Sequence, residues 1–165
     1  MIVRPMLLAI LMGVTAVSAH AQTVPSNQVV GTWRMVSAQI DPEGRNVPAY
    51  GERPSGMLVF TPDMHFVEVL TDADTPRFAS NVRGEGTDVE NRAAMSRSIG
   101  MFGTYSVDED GVFSGNIVEG ATFPNWVGDT RTRRELTLVV SGDRMTENFQ
   151  RPDGTRIAIE FERVR

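Results

Sequence analysis

Two charged side chains fall where strand alternation predicts an interior. Along 112–121, Glu119 shares a parity with Phe113, Gly115 and Ile117; along 132–140, Arg134 shares one with Leu136, Leu138 and Val140. A lone charge on an inward face costs several kcal/mol. An inward Glu119 and Arg134 therefore either pair, meet a polar ligand, or sit at a wet rim. Desolvation would raise the Glu119 pKa toward neutrality and make it a general base, with Arg134 or Asn125 steadying developing negative charge. Tyr105, Asn125 and Trp126 complete a candidate ligand-binding set with Glu119 and Arg134. Aromatic walls with a few fixed polar groups are what small-molecule pockets use. The plainer alternative makes Tyr105 and Trp126 core or barrel-end plugs.

Other chemistry is thinly represented. Beyond the first 21 residues the chain has one His, His65, and it has no Cys anywhere. A zinc site would need carboxylates around a lone imidazole, so no metal is expected. No Gly-x-Ser-x-Gly is present to carry a nucleophile elbow. Gly84-Glu85-Gly86 lacks the third Gly and the preceding strand of a dinucleotide loop, and its Glu would repel phosphate. No cofactor is expected.

The N-terminus reads as an export signal. Arg4 supplies the positive end, Met6 to Val17 an apolar run too short to span a bilayer, and Ala19-His20-Ala21 a small-x-small cleavage site. Cleavage after Ala21 implies a periplasmic or secreted protein, with 22–27 a short linker and 28–165 one domain. Without Arg4, Arg residues balance poorly against 21 acidic ones, and Lys is absent. Such a chain holds neither a nucleic-acid backbone nor an anionic membrane surface by bulk charge.

The elements that must position the candidate residues are mostly strands. Gly56 to Phe60 and His65 to Leu70 flank Thr61-Pro62-Asp63-Met64, a hairpin with Pro placed to start a turn. Thr87-Asp88-Val89-Glu90 is a capping box opening one helix over about 88–98, with Gly100 as its stop. Strands resume at 101–107 and 112–121. Three more follow near 132–140, 144–150 and 155–164, turning at Ser141-Gly142-Asp143 and Arg151-Pro152-Asp153-Gly154. About eight short strands, tight turns and one helix predict a closed antiparallel barrel or a sandwich.

The first and last strands predict how one end closes. Gly31, Trp33 and Met35 share a face, and Arg163 shares one with Ile157, Ile159 and Phe161. Gly31, Trp33 and Arg163 are therefore the expected closure, with Arg163 lying over the Trp33 ring in a cation–π contact of about 0.5–2 kcal/mol.

Four segments together resemble the bacterial lipocalin-like domain family: Gly31-Thr32-Trp33-Arg34-Met35-Val36-Ser37-Ala38, Tyr50 to Asp63, Phe102-Gly103-Thr104-Tyr105-Ser106-Val107, and Glu119-Gly120 through Phe123-Pro124-Asn125-Trp126-Val127-Gly128. The resemblance implies an up-and-down lipocalin-like β-barrel that holds a small, mainly apolar or amphipathic molecule. The chain departs from the family at Met64, where a Gly is usual after Thr-Pro-Asp. It departs again at Asn116 and Ile117, which stand where relatives often carry a His just before the Glu-Gly. The expected function is an exported carrier or scavenger, not an enzyme. The alternatives are an isomerase- or hydrolase-type cavity enzyme using Glu119 and Arg134, and an envelope protein-interaction or inhibitor module. The sequence leaves the oligomeric state open.

Overall fold

A computed structural model describes residues 26–41 and 43–165. The expected export signal and its cleavage site lie outside those residues, as does most of the expected 22–27 linker. The strands are β1 (Gly31–Ile40), β2 (Val47–Pro48), β3 (Pro54–Phe60), β4 (His65–Asp72), β5 (Ser98–Val107), β6 (Phe113–Ala121), β7 (Thr130–Thr132), β8 (Leu136–Ser141), β9 (Arg144–Gln150) and β10 (Arg156–Arg163). Among the described residues the single α-helix, α1 (Asp88–Ser96), joins β4 to β5, and a 3-10 turn at Pro124–Trp126 precedes β7. Antiparallel pairing runs β7-β6-β5-β4-β3-β1-β10-β9-β8, with β2 a two-residue tab on β1. The sheet curls into a nearly closed barrel whose seam lies between β7 and β8.

Nine strands form the wall where about eight were expected, because the segment read as one strand from 132 is split. Arg133–Glu135 form a turn between β7 and β8. The Glu135 carboxylate holds that turn by accepting from the Thr132 amide at 2.9 Å and the Thr132 hydroxyl at 2.7 Å.

Helix α1 begins as its capping box requires. The Thr87 hydroxyl accepts from the Glu90 amide, and the Glu90 carboxylate accepts from the Thr87 amide. It ends at Ser96, short of the expected Gly100. The Ser98 hydroxyl donates to the Ala94 carbonyl at 2.7 Å, and Ser98 is already paired with Thr71 in the sheet. Sheet pairing captures the chain before the glycine is reached.

The β3–β4 hairpin explains one departure from the family pattern. Met64 has φ +66°, a left-handed conformation that costs an L residue about 1–2 kcal/mol. The structure tolerates it because Thr61 ties the turn, its hydroxyl accepting from the His65 amide at 3.1 Å. Replacing Met64 with Gly is expected to raise stability by about 0.5–1 kcal/mol, after the greater unfolded-state entropy of glycine is counted. A denaturant titration in which Met64→Gly is less stable than the wild type would contradict this.

Bulges reset the alternation in two strands. In β6, Ser106 pairs with Gly115 while Val107 pairs with Phe113, so Ser114 is an extra residue; Phe102 pairs with Gly120 while Gly103 pairs with Val118, so Glu119 is another. Each bulge shifts side-chain parity by one. Consequently Asn116 and Val118 face inward and Ile117 faces solvent. In β1 the extra residue is Val36, which lets Trp33, Met35 and Ala38 all point inside.

The core fills the end where β1 begins. Val29, Trp33, Phe60, Phe66, Tyr105 and Phe113 pack there, with the Phe60 and Tyr105 rings edge to face at 4.9 Å. The Trp33 indole N–H donates to the Val29 carbonyl at 2.7 Å. Arg163 lies 4.0 Å over the Trp33 ring and donates to the Val30 carbonyl at 2.6 Å. Gly31 is required beneath it, because a Cβ there would come within 2.6 Å of the Arg163 guanidinium.

Candidate functional site

The other end of the barrel is open. There Ile40, Ala49, Tyr50, Ile99, Trp126 and Ile157 line a cavity of about 450 Å³, within the size range of small-molecule sites. Three strands, the end of α1 and three further connections contribute to it, so its shape is set by the whole barrel. Met95 and Ser96 bring the end of α1 to its edge. The Arg97–Asp72 ion pair, at 3.1 Å, ties that helix end to β4. Gly51 has φ +63° and lies so close to the Asp72 carboxylate that no Cβ would fit, which accounts for the Tyr50-Gly51 pair of the motif. A larger hollow of about 710 Å³ opens within the 77–91 loop, but it is built from that one segment and lies outside the barrel.

Directly beneath the open-end cavity lies a buried polar cluster. Glu68 (β4), Arg131 (β7) and Glu147 (β9) line a small space that shares Tyr50, Ile99, Trp126, Arg151 and Ile157 with the larger one. All three charged side chains are buried. The Arg131 guanidinium is held between two rings, 4.9 Å from the Trp126 centroid and 4.7 Å from that of Phe149. Its Nη1 donates to the Met101 sulfur at 3.7 Å, a weak acceptor. Arg131 Nη2, Glu68 Oε1 and Asn116 Oδ1 are buried without a hydrogen-bond partner among the described residues.

Burial sets the protonation of this cluster. Removal from water pushes the Glu68 carboxyl well above the usual carboxylate range, and the neighbouring Glu147 pushes it further. The Glu147 carboxyl is raised to about 7 by the same loss of hydration, moderated by Arg131. Arg131 itself is lowered by desolvation and supported by Glu68, Glu147 and Asp129. Tyr50, at the cavity wall, is raised by burial and by the two carboxyls. Near neutral pH the cluster thus carries less negative charge than two exposed carboxylates would, beside the Arg131 guanidinium.

The residues singled out from the sequence are distributed differently. Trp126 is in the cavity wall. Asn125 is exposed on the turn beside it. Tyr105 belongs to the closed end, where its hydroxyl donates to the Thr61 carbonyl at 2.7 Å and accepts from Asn27 at 2.8 Å. Glu119 and Arg134 are both exposed and do not meet. Glu119 is the extra residue of a bulge, and Arg134 sits in the turn before β8, so neither obeys the alternation that predicted an inward pair. His65 is exposed at the hairpin, 3.4 Å from Asp63.

The interior acids carried a readable signal. Glu68 lies two residues from Phe66 and Leu70, and Glu147 two from Met145 and Phe149, so each shares a face with apolar neighbours. Arg131 gave little warning, since β7 has only three residues.

A model of a lipocalin-like domain family matches residues 30–157. No curated protein matches the chain. Among solved structures, a redesigned beta barrel is 11% identical, over 88% of this chain and 100% of that one, with a TM-score of 0.46. A biogenic amine-binding protein is 13% identical, over 92% of this chain and 72% of its own, with a TM-score of 0.43. The tryptamine complex of the amine binding protein of Rhodnius prolixus is 12% identical, over 93% of this chain and 72% of its own, with a TM-score of 0.43.

Proposed function

Because this chain belongs to the lipocalin-like domain family, we propose that it is an exported carrier or scavenger holding a small, mainly apolar molecule at the open end of its barrel. The observation that supports this most is the cavity of about 450 Å³ walled by Tyr50, Ile99, Trp126 and Ile157 over a polar floor. The packed closed end confines the ligand to the open half, so it is compact rather than a long chain threaded through the barrel. The leader-like residues 1–21 support export to the periplasm or beyond. The cavity-enzyme alternative built on Glu119 and Arg134 has no inward pair to work with, because both are exposed.

Native mass spectrometry of residues 22–165, purified gently from the periplasm, tests the carrier reading by revealing any retained molecule. A solution test uses N-phenyl-1-naphthylamine, a neutral fluorescent probe. The wild type is expected to enhance and blue-shift its emission. Ala49 lines the cavity, so Ala49→Trp fills the space and is expected to weaken probe binding at least tenfold while the far-UV spectrum stays native. Equal binding by Ala49→Trp, or no enhancement by the wild type, would remove the cavity from consideration.

A further inference from the structure

We infer that the occupant of this cavity is a compact monocarboxylate whose carboxylate is received at the floor by Arg131 and whose apolar body lies against Trp126, Ile99 and Ile157. The inference rests on the cavity reading above and names the chemistry of its ligand.

Arg131 is placed as a receptor. Its guanidinium is buried and its plane is fixed between Trp126 and Phe149. One terminal nitrogen donates to the Met101 sulfur, a weak acceptor, and the other, Nη2, has no hydrogen-bond partner among the described residues. No carboxylate of a described residue lies within ion-pairing distance, 4.0 Å, of that guanidinium. A buried guanidinium without a counter-ion is costly, and a carboxylate satisfies its donors best because two N–H groups match two oxygens. A second guanidinium, that of Arg151, borders both cavities and has an unpartnered Nε.

The surrounding groups favour an anion over a cation. The titratable and charged groups facing Arg131 are Glu68 from β4, Glu147 from β9, Asp129 just before β7, and Tyr50 and Arg151 at the cavity wall. Burial and the neighbouring Glu147 raise the Glu68 carboxyl, and Glu147 is raised to about 7. The floor therefore carries less negative charge than two free carboxylates would, and holds an ammonium group less well. The position between two ring faces that an organic cation would take is already filled by Arg131. The Glu68 carboxyl, with its Oε1 unpartnered, supplies a further hydrogen bond toward a ligand oxygen when it is protonated.

The proposal fixes the sign of a pH dependence. An anion beside Glu147 favours the protonated form of that carboxyl. Carboxylate affinity is therefore expected to fall as pH rises through about 7; an amine would show the opposite trend.

The test compares 1-naphthylacetate, 2-(1-naphthyl)ethanol and 2-(1-naphthyl)ethylamine by calorimetry on the mature chain at pH 6 and pH 8. The acid is expected to bind at least tenfold more tightly than the other two at pH 6, and severalfold more weakly at pH 8 than at pH 6. Arg131→Met is expected to remove the preference for the acid over the alcohol. If Arg131→Met fails to fold, the wild-type pH profile decides. Alcohol or amine binding as tightly as the acid, or acid binding that tightens with pH, overturns the carboxylate assignment and leaves the cavity reading standing. Failure of all three while N-phenyl-1-naphthylamine binds does the same. Failure of all four overturns both.

Discussion

Trp33→Ala is expected to destabilise the protein by about 3–5 kcal/mol, the range for emptying a large aromatic site in a packed core. Trp33 is fully buried at the closed end. Its loss would leave the Val29 carbonyl without the indole N–H and would take away the ring on which Arg163 lies. Arg163 also donates to the Val30 and Gln28 carbonyls, so the segment preceding β1 would lose its fastening to β10. For a domain of this size each kcal/mol moves the melting temperature by about 2–4 °C, so a fall of roughly 10 °C is expected. Trp33→Phe keeps most of the volume and is expected to lose less. A thermal melt of Trp33→Ala within 2–3 °C of the wild type would show that the tryptophan is not what closes this end.

Stability is expected to fall between pH 5 and pH 8. A carboxyl whose pKa is raised on folding stabilises the folded state below its unfolded pKa and loses that contribution as pH rises through its folded pKa. For Glu147 the window runs from about 4.5 to about 7. At about 1.4 kcal/mol per pKa unit, the loss across it is on the order of 3 kcal/mol. Glu68 shifts in the same direction and adds to the decline. The surface carboxylates Asp108, Asp143 and Glu135 are lowered by hydrogen bonds, so they lose their contribution only as pH falls below 4.5. The two effects together place the stability maximum near pH 5.

Urea titrations at pH 5 and pH 8 read this directly. Glu147→Gln keeps the shape and removes the titration, so it is expected to flatten the profile and to be more stable than the wild type at pH 8. A wild type as stable at pH 8 as at pH 5 would mean that the buried acids keep their hydration, and it would weaken the picture of a floor low in negative charge.

Local chemistry made much of the frame readable. The Thr87–Glu90 capping box places α1 because both partners lie within one turn. Thr61-Pro62-Asp63-Met64 sets a hairpin because turn geometry depends on four adjacent residues. The shared parity of Gly31, Trp33 and Arg163 located the closed end because Trp33 pairs directly with Arg163 in the β1–β10 ladder, and the one bulge in β1 comes after Trp33. Each of these rests on contacts between near neighbours or on an uninterrupted strand.

The site depended on what lies across the sheet. Glu119 and Arg134 follow the inward pattern on paper, yet a bulge and a turn turn them outward. Bulges arise from the register between β5 and β6, which no stretch of β6 alone reveals. Glu68, Arg131 and Glu147 come from three strands far apart in sequence and meet only when the barrel curls. The amino-acid sequence determined the barrel strands, the helix cap and the tryptophan-closed end. The tertiary structure decided which charges are enclosed, because burial, and with it protonation and the demand for a partner, is a property of the closed barrel rather than of any strand.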